Sequence, residues 1–142
     1  MSALTRWLAP TTVARAHCDI PCGIYDPHGA EIAARTVARM VELIGQLPVI
    51  DDAAPSLADR NKFVRYVAVK EEHAELVKRE VQVIWSDYFK PEHLEAFPDL
   101  HTTVWQILKL AGKNKQSVDA EAAAQLEEAV KSFGEAFWAT KK

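Results

Sequence analysis

Both cysteines of this chain fall in one short run, His17-Cys18-Asp19-Ile20-Pro21-Cys22-Gly23-Ile24-Tyr25. Two thiols four residues apart can close on one metal ion, and thiolates prefer soft or borderline metals. The adjacent His-Cys pair is harder to explain as packing, because neighbours on a regular element point different ways. It makes sense if the chain is cut between Ala16 and His17. The α-amine of His17, the backbone nitrogen of Cys18 and the Cys18 thiolate could then bind one metal through two fused five-membered chelate rings. The Cys22 thiolate, brought back by a turn at Ile20-Pro21, would fill the fourth planar position. The His17 imidazole could reach an axial position. Two nitrogens and two sulfurs in a plane suit Ni(II) or Cu(II), whereas zinc with these donors would want a tetrahedron.

The segment His17 to Tyr25, followed by Asp26-Pro27, closely resembles the nickel-binding hook of the nickel superoxide dismutase family. Three further segments are similar to that family and fall in its order. They are Lys70-Glu71-Glu72-His73-Ala74-Glu75-Leu76, with one substitution, Trp85-Ser86-Asp87-Tyr88-Phe89-Lys90-Pro91, and the closing Phe137-Trp138-Ala139-Thr140-Lys141-Lys142. The resemblance implies an enzyme that converts superoxide to oxygen and hydrogen peroxide, with one nickel ion per subunit, a leader removed by a processing protease, and a homohexamer. Superoxide dismutation needs a metal that takes and returns one electron. Two thiolates and a deprotonated amide put strong anionic donation on nickel, which stabilises Ni(III), and an axial imidazole adds to it. Those sulfurs are also vulnerable, since thiolates oxidise readily unless metal-bound and shielded.

Other residues of the hook have roles consistent with this chemistry. Pro21 can hold a turn, and the resemblance raises the expectation of a cis Ile20-Pro21 bond. Gly23 permits a positive φ where the chain leaves the loop. Asp19 can brace the loop through backbone hydrogen bonds, as short acidic side chains do in turns. Tyr25 is close enough in sequence to stand over the open metal face, and the resemblance implies a gating role. Tyr88 and Lys90 match residues that surround the family's site. Tyr88 could bond the Tyr25 hydroxyl, and Lys90 could attract an anion by charge. The plainer alternatives are packing at a helix end for Tyr88 and a solvated charge for Lys90. There is one departure. A glutamate and an arginine that orient the axial imidazole in the family correspond here to Ala33 and His73. Ala33 has no side-chain acceptor, while His73 could donate a hydrogen bond or be a helix-face histidine. His28, His93 and His101 show no paired ligand spacing and read as surface or capping residues.

The elements that must position these residues are helical. Pro27 suits the first position of a helix with Asp26 as N-cap, and Ile32, Met40, Leu43, Ile44 and Leu47 recur at helical spacing before Gly45 and Pro48 end it. Asp51-Asp52-Ala53-Ala54-Pro55 reads as a connection. A long helix is expected from Leu57 to Tyr88, with a stripe of Phe63, Val67, Ala74, Val77, Val81, Ile84 and Tyr88 interrupted by Lys70. Tyr66, Val69, Leu76 and Val83 widen its apolar face. Pro91 and Pro98 bracket a loop with a short helical turn. Asp99 can cap a third helix carrying Leu100, Val104, Ile107, Leu108 and Ala111. Asp119 can cap a fourth carrying Leu126, Val130, Phe133 and Phe137. No strand alternation is convincing. The expected class is all-α, an antiparallel four-helix bundle with an N-terminal metal-binding hook.

The 142 residues suit one domain, residues 17–142, preceded by a leader of residues 1–16. Ala14-Arg15-Ala16 resembles the end of a signal peptide, but Trp7-Leu8-Ala9 is far shorter than a secretion core. We therefore read a removable leader and expect a cytoplasmic location. A net charge of -3 argues against nucleic acid as a partner, and no apolar run approaches the ~20 residues needed to span a membrane. Two readings compete with the dismutase. One is a non-catalytic helical protein that sequesters nickel, copper or zinc through the same hook. The other is a dithiol redox protein, although catalytic thiol pairs usually show C-x-x-C beside a βαβ pattern. A purely structural bundle leaves the His-Cys junction after Ala16 unexplained.

Overall fold

The computed structural model describes residues 23–48 and 54–141. Four long helices and one short one make up this part: α1 His28–Gly45, α2 Leu57–Val83, α3 Pro91–Ala96, α4 Leu100–Gln116 and α5 Ala120–Ala139. There is no strand among the described residues. α1 packs on α2 and α5, and α4 closes the ring by packing on the same two helices. With short connections this is the expected up-down-up-down bundle. The even number of long helices has a consequence for the site. The start of α1, the end of α2, the start of α4 and the end of α5 all lie at one end, where the chain enters at Gly23.

The core faces of α4 and α5 are as expected, except that Leu108 is only partly buried. Leu100, Val104, Ile107 and Ala111 are buried, as are Leu126, Val130, Phe133 and Phe137. The face of α1 is not. Its buried residues are Ala30, Ala33, Ala34, Val37, Val41 and Ile44, while Ile32 is 47% exposed. The true stripe also repeats at three and four residues, but half of it is alanine. Bulk therefore pointed to the wrong side, and only Ile44 is shared. In α2 burial begins at Lys70, and no residue from Leu57 to Val69 is buried. Leu76, expected on the widened face, is exposed.

Lys70 is itself in the core, only 1% exposed. Its ammonium donates to the carbonyl oxygens of Asn114, Lys115 and Ser117. These are the orphan carbonyls at the C-terminal end of α4, which a cation satisfies and whose dipole it complements. The apparent interruption of the α2 stripe is thus a cap supplied by a neighbouring helix. Burial pushes the Lys70 ammonium below the usual lysine range.

The helix starts are capped as the chemistry of their side chains allows. Asp26 Oδ1 accepts from the His28 N–H at 2.8 Å, but the N-cap position falls on Pro27, one residue later than expected. Ser56 caps α2 through the Asp59 N–H. Asp99 stands at the start of α4, but its carboxylate makes no cap bond. Asp119 accepts from the Ala122 N–H at 3.0 Å and pairs with Lys113 at 2.8 Å. The Lys113 ammonium, with the Ala122 amide adding to it, holds the Asp119 carboxyl below the usual aspartate range. The stability this group contributes is therefore fully present above the ordinary aspartate pKa, and it is lost as pH falls through the lowered folded value. Urea midpoints followed from neutral to acid pH should fall less steeply in Asp119→Asn, which keeps a capping oxygen but does not titrate.

α2 does not run regularly to Tyr88. Residues Ile84–Tyr88 form a π-turn, closed by the Phe89 N–H to the Ile84 carbonyl. The Ser86 hydroxyl bonds back to the Gln82 carbonyl at 2.8 Å, which competes with the regular ladder. A π-turn inserts one extra residue into the helix and rotates the residues C-terminal to it. Here it delivers Tyr88 and Phe89 together to the end of the bundle where α5 finishes.

Candidate metal centre

His17, Cys18, Asp19 and Cys22 lie outside the described residues, as does the Ile20-Pro21 bond. The described residues supply the seat of the hook. Gly23, the residue after Cys22, has φ +71° and nothing within 4 Å of where a Cβ would stand. That backbone disfavours an L side chain, so glycine is required by conformation rather than by space. Two residues on, Tyr25 is buried at 7% exposure and belongs to the core. The chain leaving the hook is thus fastened by an aromatic ring at the end of the bundle.

Tyr25 and Tyr88 meet ring to ring, with centroids 5.6 Å apart. The Tyr88 hydroxyl lies 2.8 Å from Thr140 Oγ1, and the Thr140 hydroxyl donates to the Phe137 carbonyl at 2.7 Å. A threonine has one hydroxyl proton, so Tyr88 must be the donor in that pair. This qualifies the expected Tyr88–Tyr25 bond: toward Tyr25, the Tyr88 oxygen can only accept. Tyr88 also packs on Phe137 at 4.5 Å and stacks on His93 at 5.6 Å. Phe89 reaches Phe133 and Phe137. In the sequence the closing segment is marked by its likeness to the family and, at Phe137, by the apolar face of the last helix. Its Phe137, Thr140 and Lys141 prove to be neighbours of the two tyrosines, and no spacing rule could have shown that.

Lys90 is exposed, and its backbone N–H donates to His93 Nδ1 at 3.1 Å. His93 is therefore a capping residue, as expected. His101 accepts from the Trp85 indole at 2.9 Å and ties the π-turn to α4. His28 is a surface residue, 3.7 Å from Glu31. No group of three or more His, Cys, Asp or Glu side chains among the described residues could hold a metal ion.

The family model for nickel-containing superoxide dismutase matches residues 12–141. The chain belongs to that family. It is 37% identical to the superoxide dismutase [Ni] of Streptomyces seoulensis over 139 residues, 98% of each chain. The enzyme of Streptomyces coelicolor matches to the same extent. Among solved structures, a native nickel superoxide dismutase superposes with a TM-score of 0.76 at 38% identity, covering 89% of this chain and all of the other. An apo form of nickel superoxide dismutase superposes at 0.71 with 34% identity, covering 84% and 98%.

Within this nickel superoxide dismutase fold the departure at Ala33 and His73 has a definite geometry. Ala33 is fully buried. His73 is half-buried, and its Nδ1 lies 2.9 Å from the Val69 carbonyl of its own helix. A carbonyl can only accept, so Nδ1 carries the proton. The remaining Nε2 is an acceptor while the ring is neutral and donates only as imidazolium. α1 and α2 run antiparallel with Gly29 against Glu80, which sets Ala33 and His73 about one turn out of register. His73 is therefore not a simple substitute for a side chain with several donors.

Proposed function

We propose that this chain is a superoxide dismutase that converts superoxide to oxygen and hydrogen peroxide at a nickel ion held by its N-terminal hook. Full-length family membership is the observation that carries this reading. The donor set fits the metal: the amine and imidazole of His17, the Cys18 amide and thiolate, and the Cys22 thiolate. Nickel bound there supplies the one-electron exchange. The rest falls to this chain's own residues. Tyr25 closes the approach to the hook and excludes bulky reductants, and Asp19 braces the loop. Tyr88 holds the Tyr25 ring and spends its proton on Thr140. Lys90, exposed beside this end, draws the substrate anion by charge. The leader, residues 1–16, is removed by a protease to free the His17 amine. The working form is a homohexamer in the cytoplasm, its assembly supported by the exposed apolar side chains Leu57, Val64 and Trp105.

The test is the decay of pulsed superoxide with chain beginning at His17, loaded in turn with nickel, copper and zinc. Turnover with nickel alone is expected. Nickel bound with no superoxide decay would overturn the reading and select a metal-sequestering protein. A disulfide that cycles without metal would select a dithiol redox protein.

His73 carries a separate expectation. If it supports the His17 imidazole, His73→Ala should lower turnover per bound nickel by ~10–100-fold while nickel binding stays largely intact. Unchanged turnover per nickel would make it a helix-face histidine only.

A further inference from the structure

We propose that Lys141 is a positioning residue that clamps the exit of the hook onto the C-terminal end of α5. Its ammonium lies 3.4 Å from the Gly23 carbonyl oxygen and 3.5 Å from that of Tyr25. The same ammonium stands 5.0 Å from the Phe137 ring centroid, 5.6 Å from Tyr88 and 6.0 Å from Trp138. Carbonyl oxygens and ring faces are both negative, so together they form a cage for a cation. Among the described residues no carboxylate lies within ion-pair distance of it. The Lys141 N–H bonds the Trp138 carbonyl at 3.2 Å, which ties the residue to the helix end. That end carries the negative pole of the helix dipole, which also favours a cation.

Ile24, between the two carbonyls, is 76% exposed and gives no apolar anchor. Gly23 has no side chain. The Tyr25 ring and the Lys141 ammonium both fix this stretch to the bundle, and Gly23 is bonded directly to Cys22. Loss of the clamp therefore acts next to the second thiolate. The consequence for nickel rests on the proposed function above, whereas the clamp itself does not.

The experiment uses Lys141→Met, which keeps the aliphatic stem and loses the charge, and Lys141→Arg, which keeps a cation and donors. In the full-length, metal-free chain, chymotrypsin cleavage after Tyr25 should be about tenfold faster in Lys141→Met and near wild type in Lys141→Arg, because the buried ring must leave its seat to be cut. Cleavage after Tyr66 in α2 should not change. In chain beginning at His17, nickel should dissociate ~10–100-fold faster from Lys141→Met. Unchanged cleavage after Tyr25 would overturn the clamp. Faster cleavage at both tyrosines would overturn it too, by showing general loss of stability. Faster cleavage after Tyr25 with unchanged nickel release would overturn the positioning role. Failure of the wild-type chain to hold nickel would sink the metal reading, and the cleavage arm would still decide the clamp.

Discussion

Serine in place of Cys18 or Cys22 is expected to abolish both nickel retention and superoxide turnover. A cysteine thiol ordinarily ionises near pH 8.5, and a metal lowers that further, so the ligand is a thiolate. A serine hydroxyl stays protonated near neutral pH and is a poor donor to a borderline metal. Changes in groups that only support a ligand typically cost ~10–100-fold, and loss of a ligand itself should exceed that. The fold should survive, because the bundle's core draws nothing from these two positions among its described members. Nickel content after dialysis, the paramagnetic nickel signal of the oxidised protein and turnover should all be lost together, with thermal unfolding of the bundle unchanged. Full activity in either serine variant would contradict the assignment.

Lys70→Met is expected to cause a large loss of stability while leaving the hook intact. The methionine matches the stem in size but leaves the carbonyls of Asn114, Lys115 and Ser117 without their shared donor. Unsatisfied buried polar groups cost about 1–3 kcal/mol each, less where water can reach them. About two to four kcal/mol is a reasonable total, roughly a 10 °C fall in melting temperature for a chain of this size. Lys70→Arg should not rescue, because the site is almost fully enclosed and a planar guanidinium is larger than an ammonium. Calorimetry of the two variants decides it. A melting temperature within about 2–3 °C of wild type in Lys70→Met, small on the scale of such changes, would show that water caps α4 equally well.

The fold class was legible because three of the four long helices carry their core faces in large residues. Phe133 and Phe137, Val104 and Ile107, and Val77 and Val81 sit at helical spacing and are buried. α1 was misread because its face is built on Ala30, Ala33 and Ala34, which carry little hydrophobic signal while allowing close approach. Lys70 read as a flaw because its acceptors lie on another helix, 44 and more residues away. The π-turn at Ile84–Tyr88 has no period of its own to detect. At the site, the positive φ of Gly23 was legible from its place in the chain, whereas the ligands expected from chelate chemistry, His17, Cys18 and Cys22, lie outside the described residues. Of the neighbours of Tyr25, Tyr88 was legible from the resemblance, but Lys141 was not, because it meets Tyr25 only through the antiparallel topology. That topology returns the last turn of α5 to the place where the hook begins.

The proposed nickel site exists only when His17 is the first residue, because its α-amine is one of the ligands. The most direct measurement is the intact mass of the superoxide-active fraction together with its metal content. A chain that begins at His17 and carries one nickel ion per subunit is expected. Activity residing in chain that still begins at Met1, or in processed chain whose metal is not nickel, would contradict it.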